Sequence, residues 1–137
     1  IAPHVDHVLV AAFSNTRRTA ALRAVAQAGS VRRPATSGGT GTLLPLLLAV
    51  WLRWRWLAAR SLRGIDALQI PEHQGRLRVL SPRLLSFAHS LGVEVHVWTV
   101  NEAIDMRRLL NAGVDGLITD RADIALAIVA EWAQTRS

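Results

Sequence analysis

The residues suited to acid–base or metal chemistry in this 137-residue sequence are few and poorly grouped. His4, Asp6 and His7 form a His-x-Asp-His cluster of metal-ligand type. On an extended start, His4 and Asp6 would point to one side and His7 to the other, so we read no metal site there. No two carboxylates stand at i, i+2 anywhere, and the sequence contains neither cysteine nor lysine. Disulfides, thiolate sites and a cysteine nucleophile are thereby excluded. Ser14 has no recognisable His–acid partner and reads as a helix cap rather than a nucleophile. His73 and His89 read as loop and helix-surface residues, and His96 as filler of an interior. No catalytic residue is assigned.

The elements that would position any site follow from periodicity and caps. Val8 to Phe13 is a short apolar strand, and the helix after Ser14 carries Ala21, Leu22 and Val25 on one face before Gly29 stops it. Ala35 to Ser37 is a short strand opening into a Gly-rich loop. Leu43 to Arg60 reads as one long helix, with Leu47, Trp51, Trp54 and Ala58 on its apolar stripe. Asp66 to Ile70 is a strand ended by Pro71. Ser81-Pro82 is a cap and first-turn proline for a helix with Leu84, Leu85, Ala88 and Leu91 on one face. Val93 to Val100 is a strand, and Asn101 caps a helix with Ile104, Leu109 and Leu110 inside. Gly116 to Thr119 is the last strand. Asp120, with Asp123 three residues on, caps a final helix that buries Ile124, Ile128, Val129 and Trp132.

Strands and helices thus alternate with short connections, and the later strands are almost wholly apolar. Such strands belong to parallel sheets covered by helices. Five strands are counted, whereas a closed barrel of this kind has eight and about 250 residues. The chain therefore reads as a single α/β domain over residues 1–137, either part of a barrel or a small doubly wound sheet.

Half of the residues are apolar and the formal net charge is +6, with every one of the 16 basic residues an arginine. The arginines are scattered, apart from a denser run from Arg53 to Arg63, and read as a solvated surface rather than a nucleic-acid site. Arg53-Trp54-Arg55-Trp56 alternates cation and ring as some membrane-surface peptides do, yet at helical spacing it reads as an amphipathic helix. Leu43 to Leu52 is too short and too interrupted to span a bilayer, which takes about 20 apolar residues, so a buried helix is expected. The sequence begins with Ile1 and shows no signal peptide; a cut or processed start and a cytoplasmic location are the expectations.

Val95-His-Val-Trp-Thr-Val-Asn101, followed by Met106 to Leu110 and by Ala112-Gly-Val-Asp-Gly-Leu-Ile-Thr-Asp120, resembles the C-terminal signature of glycerophosphodiester phosphodiesterases. Phe13-Ser14 after an apolar strand and Ala67-Leu-Gln-Ile-Pro71 before the Ser81 helix agree in order. Ala122 departs from the proline usual after Thr-Asp-Arg, and Ala12 stands where a serine often precedes Phe-Ser. The resemblance implies a TIM-type (β/α)8 barrel of which this chain is the C-terminal part, about strands 4–8. It implies metal-dependent hydrolysis of small-molecule glycerophosphodiesters to glycerol phosphate and an alcohol, within lipid metabolism.

The family's His-Arg, Glu-x-Asp, His-Asp and Glu-x-Lys motifs are absent from this sequence. The resemblance therefore implies that the acid, the base and the ligands of a divalent metal (calcium or magnesium) lie outside the chain, which alone would be inactive. It also implies substrate-wall roles for residues at strand ends. His96, Trp98 and Val100 share one strand face while Val95, Val97 and Thr99 share the other, which puts Trp98 near the mouth. Phe13 ends its strand and can wall the same pocket, Gln69 can touch a polar substrate, and Asn101 can combine a cap with a pocket contact. The alternative is a non-catalytic binding or assembly module built on an incomplete barrel.

Overall fold

A computed structural model describes residues 9–135 except Phe13, Val31 and Gly39. Its elements run β1 (Leu9–Val10), α1 (Asn15–Gln27), β2 (Ala35–Thr36), α2 (Thr40–Trp51), α3 (Arg55–Ser61), β3 (Ala67–Pro71), β4 (His73–Gln74), β5 (Leu77–Arg78), α4 (Pro82–Ser90), β6 (Glu94–Trp98), α5 (Ala103–Asn111), β7 (Gly116–Leu117) and α6 (Ala122–Gln134).

The five strands expected from the sequence lie side by side, parallel and in chain order. β1 pairs with β2 (Leu9 opposite Ala35), β3 with β6 (Ala67 opposite Glu94), and β6 with β7 (His96 opposite Gly116). A parallel bridge from Ser37 to Ala67 joins the two groups. There the Ser37 N–H donates to the Val10 carbonyl and the Gly38 N–H to the Ala67 carbonyl, each at 3.1 Å. A doubly wound sheet reverses its strand order at a switch point; no reversal occurs among the described strands.

The face of β6 that carries Val95 and Val97 is fully buried, whereas His96 and Trp98 on the other face keep some exposure. Leu46 of α2, Leu84 and Ala88 of α4, and Met106 and Leu109 of α5 cover the buried face and show no exposed surface. Burying each of the large side chains contributes roughly 1.5–3 kcal/mol, so the helices are fixed on one side of the sheet and the other side is left for a site.

Several expectations are corrected. The Leu43–Arg60 helix is broken: α2 ends at Trp51 and α3 starts at Arg55, with Arg53 at φ 60° between them. Leu46, Ala49 and Ala58 supply the core contacts, while Trp51 and Trp54 are exposed, so α2 is only half of a buried helix. No helix among the described residues is long and apolar enough to cross a membrane. An antiparallel hairpin, β4–β5, was not foreseen; it turns at Gly75 with φ 60°, a left-handed conformation that glycine adopts without a Cβ clash.

Helix starts divide in the same way. Ser81 is a true cap, accepting from the Leu84 N–H at 3.2 Å. Ser14 holds its N-cap position without a side-chain cap bond, and its carbonyl accepts from the Arg18 N–H. Asn101 and Asp120 are not caps: the N-cap residues of α5 and α6 are Glu102 and Arg121. Leu91, Ile104 and Val129, expected inside, are exposed, because a run of apolar residues does not say which of two neighbours faces the sheet.

A cavity at the carboxyl ends of the parallel strands

All five parallel strands contribute to one cavity of about 350 Å³. Ala12 follows β1, Ser37 follows β2, Gln69 belongs to β3, Trp98 ends β6 and Ile118 follows β7, and each lines it. All of these positions but Gln69, the middle residue of β3, lie at or beyond the carboxyl end of their strand, the edge at which parallel α/β folds bind ligands. Ser37 is buried, and Gln69 and Trp98 are half-buried. The peptide between Trp98 and Thr99 is cis.

The lining is mostly apolar, and its polar side chains, Ser37, Gln69, Thr99 and the Trp98 indole, are all neutral. Such a wall can pack against a carbon backbone and hydrogen-bond hydroxyls, but it has no group that would take or give a proton near neutrality. Among the described residues no three histidines or carboxylates gather as a metal site. A divalent metal therefore finds no carboxylate or imidazole ligand among the described residues lining this cavity.

Of the residues picked out from the sequence, Trp98 and Gln69 thus meet at one cavity. Asn101 lies outside its lining. The Asn101 side-chain carbonyl accepts from the Thr119 hydroxyl and the Asp120 N–H, each at 3.0 Å, and its amide donates to Asp120 Oδ2 at 3.2 Å. Asn101 therefore ties the β6–α5 turn to the β7–α6 turn. Asp123 pairs with Arg121 at 2.9 Å instead of completing a capping box with Asp120. Phe13 and the His4, Asp6 and His7 cluster lie outside the described residues. His96 lies over Gly116 and bonds Glu94 at 2.9 Å, and His73 is exposed on the hairpin.

Three charged residues that the sequence reading passed over hold the frame. Asp66 accepts two bonds from the Arg33 guanidinium and one from the buried Thr36 N–H, all at 2.8 Å, at the junction of β2 and β3. Burial opposes its ionisation, yet these donors hold its carboxyl below the ordinary value. Glu72 receives a two-pronged contact from Arg108 at 2.8 Å that links the end of β3 to α5, and its carboxyl is likewise lowered, chiefly by that hydrogen bond. Asp115, inside the Gly-Val-Asp-Gly motif, accepts from the Val95 N–H at 2.8 Å and meets His89 at 2.7 Å. The motif's carboxylate secures the start of β6, and His89, exposed on α4 as expected, is its second partner. A carboxylate immediately before or after a strand is the signal that could have found Asp66, Glu72 and Asp115.

Residues 11–124 match the Glycerophosphoryl diester phosphodiesterase family. A probable glycerophosphodiester phosphodiesterase 2 of Mycobacterium tuberculosis is 41% identical over 130 residues, which are 93% of this chain and 47% of that protein. A glycerophosphodiester phosphodiesterase of Caldanaerobacter subterraneus is 40% identical over 48 residues, 35% of this chain and 20% of that one. The crystal structure of a putative glycerophosphoryl diester phosphodiesterase from Silicibacter pomeroyi superposes with a TM-score of 0.58 at 25% identity, over 91% of this chain and 38% of that one. The chain thus spans about half or less of the length of these relatives. A match over most of its residues, at this identity and with a shared parallel α/β architecture, establishes that the chain belongs to the glycerophosphoryl diester phosphodiesterase family.

Proposed function

We propose that this chain is the strand-4-to-8 part of an eight-stranded barrel that hydrolyses glycerophosphodiesters to glycerol phosphate and an alcohol, and that it supplies one wall of the substrate pocket. The carrying observation is the neutral cavity to which all five parallel strands contribute, four of them at their carboxyl ends. In this reading the Trp98 ring packs against the glycerol backbone and keeps water from the phosphate, and Gln69 hydrogen-bonds a substrate hydroxyl. Phe13 extends the same wall, and Asn101 acts indirectly by holding the two neighbouring turns together. The acid, the base and the ligands for calcium or magnesium belong to residues outside this chain, consistent with a lining that has no ionisable side chain.

The test is an assay of the 137-residue chain on glycerophosphocholine with calcium or magnesium. No turnover is expected, and metal-dependent turnover would overturn the assignment of the acid and base elsewhere. An NMR titration with the same compound addresses the wall itself. Shifts should centre on the Trp98 indole and the Gln69 amide, and shifts confined to other regions would refute it.

The outer edge of β7 supports a second reading. Among the described residues that edge has no strand partner, and free edges invite pairing with another chain. A non-catalytic assembly module would form a defined dimer in light scattering, without aggregation; a monomer at high concentration would dismiss it.

A further inference from the structure

The tryptophan- and arginine-rich stretch around the α2–α3 break has no part in the cavity. From Leu43 to Trp51, α2 carries only apolar side chains. Leu46 and Ala49 are fully buried against the core, while Leu44, Leu48 and Trp51, spaced four and three residues apart, are 73, 52 and 74% exposed. A soluble helix normally turns a polar face outward, and one that is apolar all round marks contact with something other than water. Leu77 of the β4–β5 hairpin, 58% exposed, joins Leu44, Leu48 and Trp51 along a groove of about 540 Å³ that also includes Arg78 and Arg83. A neighbouring hollow of about 470 Å³ shares Arg83 with the first and adds Arg53 and Arg55. Beyond the break, Trp54 and Trp56 are 50 and 69% exposed.

Charge indicates what covers this face. Between Asp6 and Asp66 the sequence has nine arginines and no carboxylate. Arg53, Arg55, Arg78 and Arg83 enter none of the ion pairs among the described residues; Arg55 lies 5.7 Å from the Phe87 ring centre. A second copy of the same face would bring like charges together. A nucleic acid would match the guanidinium groups but leave the leucines in water. An anionic bilayer matches both, since its headgroups attract arginine and its interface takes up indole and leucine side chains.

We propose that the outward stripe of α2, together with the β4–β5 hairpin and the arginines around them, is a docking surface for an anionic phospholipid membrane. The hairpin follows directly on the carboxyl end of β3.

Co-sedimentation of the 137-residue chain with vesicles of phosphatidylcholine, with or without phosphatidylglycerol, tests this. Binding is expected only with phosphatidylglycerol, with a blue shift of tryptophan emission and loss at high salt. The triple variant Arg53→Gln, Arg78→Gln, Arg83→Gln should bind about a hundredfold more weakly, at about fivefold per arginine. Leu48→Gln with Trp51→Gln should lose roughly tenfold or more. Because all five positions are exposed, unchanged urea midpoints will show that the variants remain folded. Equal binding to both vesicles, no binding at low salt, or variants that bind like the parent would overturn the proposal. So would tighter binding to duplex DNA than to vesicles, or a dimer abolished by the Leu48 and Trp51 changes.

Discussion

Replacing Asp66 tests whether the five strands form one layer, because this carboxylate stands where the β1–β2 pair meets β3. Asp66→Ala removes three acceptor contacts of 2.8 Å. The Arg33 side chain is half exposed, and screening by water limits that pair to at most about 1 kcal/mol. The Thr36 N–H is different, because Thr36 has no exposed surface. Leaving a buried donor without an acceptor costs about 1–3 kcal/mol. The alanine variant should therefore lose about 2–3 kcal/mol. Asp66→Asn keeps an oxygen for Thr36 and should lose less than about 1 kcal/mol. In urea unfolding, with a slope near 2 kcal/mol/M, the alanine midpoint falls by roughly 1–1.5 M and the asparagine midpoint by under about 0.5 M. Equal losses in the two variants would show that charge, not the orphaned amide, holds the junction. A loss under about 0.5 kcal/mol in Asp66→Ala would mean that the junction is held elsewhere.

Two further outcomes follow from the same framework. A Cβ added at Gly116 would lie 2.6 Å from His96 Cδ2 and 2.9 Å from Cγ. Gly116→Ala must therefore displace the ring from its 2.9 Å contact with Glu94, at about 1–3 kcal/mol. A thermal midpoint that does not fall, or that His96→Ala fails to restore, would contradict that packing. Asp66 and Glu72 both have carboxyls below their ordinary values in the folded chain. Their contribution is complete above the unfolded carboxylate range, near pH 4, and is lost as pH falls through the lowered folded values. Thermal midpoints measured downward from about pH 5 should fall, less so in Glu72→Gln; a rise on acidification would refute the sign.

Much of the scaffold is legible in the sequence. A strand period of two separates Val95 and Val97 from His96 and Trp98, and burial divides along that line. Ser81-Pro82 names a helix start that the Leu84 N–H bond realises. The five parallel strands follow from short apolar runs between helix caps. These features are local: they depend on alternation and on chemistry within three or four residues. The meeting of Trp98 with Gln69 at one cavity is what the family resemblance, not strand periodicity, implies.

What the sequence could not decide depended on partners distant in the chain. Asn101 has the composition of a cap, but Thr119 and Asp120, eighteen and nineteen residues on, take its side chain instead. The Leu43–Arg60 pattern suits one helix, yet the fit of Leu46, Ala49 and Ala58 to the core coincides with a break at Arg53 and leaves Trp51 outside. Asp66, Glu72 and Asp115 look like ordinary surface carboxylates until folding brings Arg33, Arg108 and Val95 to them. Sequence alone determined the two faces of β6 and the start of the Ser81 helix; tertiary structure decided which polar groups find each other, because a hydrogen bond needs an atom within about 3 Å and chain order does not set that distance.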